Sequence, residues 1–562
     1  MKSYTPQFQG NPYRLYGTAS KSITRFSYFL VALILIALFV QNFLFSAHIG
    51  IVGFRDIDDL AFQQVIRRIH LLIQNGNYAD TLSANDYAYG WIYWALMALV
   101  TFPVYLLSTY FHVDWPLIVI PRQLSLLFGV MSLVMLRKVF KNLNPDIPEW
   151  LCAIGLLIFS LYPAFGYFSL RFGTVNCVMF FSILSFYYIT REHPLTLASR
   201  VLAFQALAIA GAIKLSGLLI APLIILFLFQ RSHENSIIQA VRKLALPCLL
   251  FILTLTVFTN PALFFPPFDG EAAAGYWKTL HHFIGVTKIQ TGPSNPIERY
   301  YLGIYQTPMN ALAMLLLSIG FVVCWLANRR DRRDISGIVL TIIFASCYLM
   351  FSVKNVTSVG AYYTAVSFLI LTSIGGWSYI RYARYLLLSI AILLLTDVGF
   401  RARNQYMANS TEPYPWNHLS YFIKNEKTNS EMRNSKKIEE CMDLYAENGW
   451  SGHIFHDYTV SLTINTLSHP RVCFSTAWND LSAEGKYCPR PIDFLVLNMK
   501  SLGSLPDQKF DKVLQETDPK VGEKLIRDRL SRRGLYRTGR FNDQHFKLIC
   551  QYGDVRVYKT DN

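Results

Sequence analysis

Three carboxylates stand together at Asp56, Asp58 and Asp59, directly after the first long apolar run of the chain. Beyond them, Leu60, Val65, Ile69, Leu72 and Ile73 fall mainly on one helical face, opposite Gln63, Arg67, Arg68 and Gln74. That pattern predicts a helix lying along a membrane surface. It would hold an acid where a lipid head group meets water, which is the place for a general base acting on a lipid-linked substrate. The same acids could instead cap the helix, with Asp58 or Asp59 complementing its first turn. A second polar group, Ser83-Ala84-Asn85-Asp86-Tyr87-Ala88-Tyr89-Gly90-Trp91, leads into the next apolar run. Among the basic residues, Lys214 interrupts apolar sequence, where an ammonium needs a cavity, a partner or a route to the interface. Lys354 and Arg299 lie in predicted outer loops and could bind phosphate or end a helix. His281 and His282 read as a solvated or packed pair when taken alone.

The elements that must position these residues are membrane helices. Only 16% of the 562 residues are charged and 52% are apolar, with a mean hydropathy of +0.29. Soluble proteins carry about 25% charged residues, so the chain lacks the surface for a water-soluble fold of this size. The net charge of +16 sits largely in short loops beside apolar runs. There it reports topology and argues against nucleic acid as a partner. Apolar runs fall at about 26–47, 89–110, 118–136, 150–168, 173–190, 200–230, 243–260, 309–327, 335–352, 359–378 and 383–400. The 200–230 run is too long for one crossing and reads as two short helices meeting at Lys214. Placing the arginine- and lysine-rich loops inside requires that 89–110, with Pro103 at its middle, not cross. The result is an α-helical polytopic membrane protein of about 11 transmembrane helices, with interfacial helices in the first outer loop. Its N-terminus is cytosolic, and its transmembrane module of residues 1–400 has outer loops at 48–117 and 261–308.

Residues 401–562 form an extracytoplasmic soluble α/β domain in this reading. Helical stretches are expected near 429–448 and 517–533, and strands at Phe494-Leu495-Val496-Leu497, Phe546–Cys550 and Val555–Tyr558, with Gly553 at a turn. The four cysteines Cys441, Cys473, Cys488 and Cys550 suit an oxidising compartment, with at least one disulfide; Cys473–Cys488, closing the short loop, is favoured. Cys152, Cys177, Cys248, Cys324 and Cys347, in or beside apolar runs, read as core packing. Arg527, Arg529, Arg532, Arg533, Arg537 and Arg540 form either a solvated helix face or a surface for anionic lipid or saccharide.

In order and topology the chain resembles the GT-C superfamily of glycosyltransferases that use polyprenyl-phosphate-linked sugars, and particularly its lipid A aminoarabinose transferase and protein O-mannosyltransferase branches. The resemblance spans roughly residues 20–400. It rests on Asp58-Asp59 opening a surface helix, Tyr89-Gly90-Trp91-Ile92-Tyr93-Trp94, Pro121-Arg122-Gln123-Leu124-Ser125, Ala212-Ile213-Lys214-Leu215-Ser216-Gly217-Leu218, Thr259-Asn260-Pro261 and Tyr362-Tyr363. It implies that Asp58 activates the acceptor nucleophile, with Asp59 or Asp56 as substitutes. It also implies a divalent metal or substrate site to which Asp86, Tyr89 and His281 or His282 could contribute. The turn Leu170-Arg171-Phe172 departs from the family by lacking an acid, which puts the metal in doubt and points Arg171 at donor phosphate, beside Lys214, Lys354 and Arg299.

The activity implied is inverting transfer of one sugar from a polyprenyl-phosphate carrier to an extracytoplasmic lipid, glycan or protein acceptor, in a bacterial inner membrane. No phosphate-cradling glycine loop is present for a nucleotide sugar. The alternative is a polytopic transporter or lipid-linked saccharide flippase. It would show pseudo-symmetric halves, whereas this chain has no evident repeat and keeps its polar clusters in outer loops.

Overall fold

The computed structural model describes residues 17–49, 65–66, 69–70, 72–82, 90–111, 115–143, 145, 147–170, 173–191, 195–222, 224–225, 237–261, 312–313, 315–317, 319, 383–408, 437–446, 452–457, 472–476, 491–499, 506–508, 510–511, 519–541 and 543–561. The helical part contains α1 (Gly17–Ile49), α2 (Trp91–Phe111), α3 (Trp115–Leu143), α4 (Glu149–Leu161), α5 (Pro163–Ser169), α6 (Val175–Arg191), α7 (Leu197–Ile213), α8 (Ile237–Thr259) and α9 (Ala383–Ala408). Within it, Lys21–Phe43 and Val119–Leu143 are long and apolar enough to cross a bilayer, with mean hydropathies of 2.3 and 1.7. α1 is apolar on both sides: Val31, Ile34 and Leu38 face the bundle, while Phe29, Leu33 and Ile36 are exposed. A helix apolar all round belongs in hydrocarbon.

α4 is the centre of the bundle, buried at every residue from Leu151 to Leu161 and packed against α1 and α9. It stops at Tyr162, which is extended (φ −61°, ψ 126°), because Pro163 disfavours a helical residue before it and instead starts α5 at its first position. The expected continuous run at 150–168 is therefore two helices. α6 and α7 form an antiparallel hairpin, with Ser185 Oγ donating to the Ala203 carbonyl at 2.7 Å. α7 opens on a Thr196 cap, whose hydroxyl accepts from Ser199 N at 3.2 Å. It ends at Ile213, where Lys214 turns extended (φ −158°, ψ 130°) and a 3-10 turn, Leu215–Ile220, folds back. Gly217 permits this return, since a Cβ there would lie 2.5 Å from the Ala210 carbonyl oxygen. The break expected in the 200–230 run falls at Lys214. At the opposite end of the bundle, Glu149 of α4 accepts from Arg137 Nε of α3 at 2.8 Å and from the Tyr28 hydroxyl of α1.

Among the described residues of the C-terminal part, six strands form a sheet in the order β2-β1-β3-β6-β5-β4. Its strands are β1 (Gly452–His456), β2 (Val472–Thr476), β3 (Ile492–Asn498), β4 (Arg540–Phe541), β5 (Gln544–Tyr552) and β6 (Val555–Thr560). β1 runs parallel to β2 and β3, whereas β6 lies antiparallel between β3 and β5. Alternation sends Ile454, Phe494, Val496 and Val557 to one face, against Ile438 and Met442 of the helix α10 (437–443). Phe455, Leu495, Leu497 and Tyr558 go to the other, with Leu535 of α11 (Pro519–Thr538). Cys441 of α10 is bonded to Cys550 of β5; the side chain of Cys473 and the whole of Cys488 lie outside the described residues. The β5–β6 turn carries Gly553 at φ +58°, as its position predicts. On the α11 side, Arg532 is buried between Asp457, which it grips with both terminal nitrogens, and Asp528, whose two oxygens each stand 2.9 Å from Nε. Burial holds the Asp528 carboxyl above the usual range, partly offset by Arg532.

Candidate functional site

One end of the helical bundle gathers several of the sequence segments singled out above. Gly90, at the start of α2, donates its N–H to the Ile213 carbonyl at 3.2 Å, and its own carbonyl accepts from Tyr93 N at 3.1 Å. The contact admits no side chain, because a Cβ on Gly90 would stand 1.7 Å from the Ala212 carbonyl oxygen and 3.3 Å from that of Phe258. So the Gly90-Trp91 entry, the Ile213-Lys214 break and the Asn260-Pro261 exit of α8 meet at one joint. Lys214 is half-buried there, on the fixed backbone between α7 and its returning turn. Asn260 is buried.

A second polar group lies at the same end, since α6 begins where α7 finishes. Asn42 of α1 donates to the Ser169 carbonyl at 3.0 Å, and Ser125 of α3 donates to the Phe168 carbonyl at 2.8 Å. These two carbonyls end α5, where no intrahelical donor reaches them, so side chains from two other helices cap it. Asn176 of α6 completes the group, donating to the Ser125 carbonyl and to Ser169 Oγ, both at 3.1 Å. Gly129 leaves room for it, since a Cβ there would be 3.2 Å from both the Asn176 amide and Ser169 Oγ. Arg122 is fully buried beside them, its carbonyl 3.4 Å from Asn42 Nδ2. Together they fix the backbone at the end of α5, up to Leu170.

α2 closes this end. Its Tyr93, Trp94, Met97 and Ala98 pack on Phe128 of α3, Cys177 and Val178 of α6 and Ile213 of α7. Ile66 and Ile69 of the preceding segment cover the same cluster, and residues 65–74, where described, are helical, as their periodicity predicts. His70 is buried against α2, its Nε2 3.0 Å from Thr101 Oγ1 and 3.3 Å from the Ala98 carbonyl, its ring beside Phe102 and Tyr105. The Thr101 hydroxyl already donates to the Met97 carbonyl at 2.6 Å, so Nε2 carries the proton and donates to this pair. Burial pushes the imidazole down to about 4, against a small opposing effect of the Ala98 hydrogen bond.

Of the residues expected to carry chemistry, Lys214 is placed at this end. Asp56, Asp58, Asp59, Asp86, Tyr89, Arg171, His281, His282, Arg299 and Lys354 lie outside the described residues, as do Tyr362 and Tyr363. Two of them adjoin described positions, Tyr89 next to Gly90 and Arg171 next to Leu170. No three metal-ligating side chains gather among the described residues. Sequence reasoning did not single out Asn42 or Asn176 and gave Arg122 and Asn260 no separate role. Arg122 carried a visible signal, a guanidinium inside the apolar run at 118–136, comparable to the ammonium of Lys214.

No protein-family model and no curated protein matches the chain by sequence. In fold it is similar to solved structures. ArnT from Cupriavidus metallidurans bound to undecaprenyl phosphate agrees over 95% of this chain and 98% of that one, with a TM-score of 0.53 and 11% identity. The same protein in the apo state agrees over 88% and 92%, with a TM-score of 0.52 and 10% identity. An oligosaccharyltransferase from Archaeoglobus fulgidus, in a complex with zinc and sulfate, agrees more loosely over 86% and 70%, at a TM-score of 0.43 and 12% identity.

Proposed function

We propose that the chain is an inverting membrane glycosyltransferase that moves one sugar from a polyprenyl phosphate to an extracytoplasmic lipid, glycan or protein acceptor. The observation that carries this reading is the agreement in fold, over almost the whole of both chains, with a protein bound to undecaprenyl phosphate. The joint of Gly90, Ile213-Lys214 and Asn260 beside the capped turn at Ser169 supports it, because it holds the half-buried Lys214 near a polar group at one end of the bundle. Lys214, Arg171, Lys354 and Arg299 are the cations proposed to hold the carrier phosphate. Asp58 takes the proton of the acceptor hydroxyl, whose oxygen attacks the anomeric carbon as the bond to the carrier phosphate breaks. The electron pair leaves on that phosphate. It is already a good leaving group, so the protein mainly positions both substrates and balances charge. Asp86, Tyr89, His281 and His282 are assigned to the sugar or a metal, and the reaction as written routes no step through a metal.

In this reading the chain makes eleven crossings of a bacterial inner membrane. α2 lies in the outer interface, and the C-terminal part from residue 401 is extracytoplasmic, where the Cys441–Cys550 bond would be maintained. The test is mass spectrometry of surface glycans and lipids from cells with and without the protein, then with Asp58→Asn. The added sugar should disappear with the protein, and Asp58→Asn should lower transfer by about 10²–10⁴-fold while the protein is retained in the membrane. Normal transfer in Asp58→Asn with loss in Asp59→Asn would move the base by one residue. Normal transfer in both would return these acids to a helix-capping role.

A further inference from the structure

α11 has two faces. Asp528, Arg529, Arg532 and Leu535 are buried toward the sheet, and opposite them Ile526, Arg527, Leu530, Arg533 and Arg537 form one exposed stripe at helical spacing. The buried arginines are matched by acids, Arg532 by Asp457 and Asp528, and Arg529 by Asp507. Arg533 shares Asp507, but Arg527 and Arg537 have no acidic partner among the described residues. Between these cations stand two large aliphatic side chains, Ile526 at 42% and Leu530 at 60% exposure. Guanidinium groups flanking exposed aliphatic side chains match a lipid head-group layer, where phosphates meet the cations and the aliphatic groups enter the acyl boundary. The chain supplies the proximity, because α9, an apolar helix of the bundle, precedes the sheet with only residues 409–436 between Ala408 and α10.

We propose that the exposed stripe of α11 docks on a bilayer surface carrying anionic phospholipid and holds the C-terminal sheet against the membrane. This goes beyond sugar transfer and does not depend on it. The test places dansylalanine at position 530 of the full chain, reconstituted in nanodiscs of phosphatidylcholine with or without phosphatidylglycerol. Emission should shift to the blue only with phosphatidylglycerol, and high salt should reverse it. Arg527→Gln with Arg537→Gln should weaken docking by about 30-fold, and Arg527→Lys with Arg537→Lys should retain it. Equal spectra in both disc types would overturn the proposal. So would a blue shift produced by soluble dextran sulfate in neutral discs, which would assign the stripe to anionic saccharide instead.

Discussion

At Gly90 a single missing methyl group decides whether the site can assemble. A Cβ 1.7 Å from a backbone carbonyl oxygen cannot be relieved by a rotamer change, so α2 and α7 must separate. Gly90→Ala is expected to cost at least about 3 kcal/mol and to abolish transfer, read as a lower melting temperature of the purified protein alongside its activity. His70 gives this end of the molecule a pH dependence. Its folded pKa, about 4, lies below the ordinary 6.5, so the fold accepts the neutral ring and protonation favours unfolding. The associated stability is fully present above about pH 6.5 and is lost as pH falls through 4, to a limit of about 3 kcal/mol. Melting temperatures measured between pH 7.5 and 4 should fall for the natural protein and fall less for His70→Phe. Neither effect was legible in sequence: Gly90 and His70 are ordinary residues until their neighbours are known, whereas Lys214 drew notice because charge in an apolar run is costly wherever it folds.

The ends of α2 are tied by the chain to one end of the bundle. Gly90 is bonded to Ile213, and only residues 112–114 separate Phe111 from the start of α3, whose Ser125 lies in the polar group beside that joint. A helix of 21 residues is about 30 Å long and cannot reach the opposite face while both ends stay there. In the orientation proposed, reporter fusions at His112 and Asn409 should both give the outer-side signal, and an inside signal at His112 would show that α2 crosses. Charge counting leads to the same expectation, because loop arginines carry topology in the sequence itself. The division of 150–168 was not anticipated, although Pro163 marked it, because the run was read for hydropathy alone. In the C-terminal part the β5–β6 hairpin, β3, α10 and α11 were readable from strand-like and helical runs and from Gly553 at the turn. β1 (GHIFH) and β2 (VCFST) were not: they are five residues each and pair in parallel at a distance in sequence, and β1 is buried throughout, without alternation.

Across the whole molecule, the Cys441–Cys550 bond joins positions 109 residues apart and ties α10 to the sheet. Loop-closure entropy assigns such a cross-link about 4–5 kcal/mol, so Cys441→Ala with Cys550→Ala should make residues 437–561 markedly more sensitive to protease, with the helical bundle unaffected. The pairing could not be selected from spacing, because a helix packed across a sheet brings together cysteines that the chain separates widely. The strand order has a consequence in time. β6 follows the other five described strands of the sheet in sequence yet lies between β3 and β5, so the sheet has an open seam until that strand arrives. In the orientation proposed above, strands β1 to β5 must wait on the far side of the membrane during export with β3 and β5 unjoined. The unit therefore closes only after residue 560 has been delivered, and a nascent chain stalled before Val555 exposes two strand edges to chaperones and proteases.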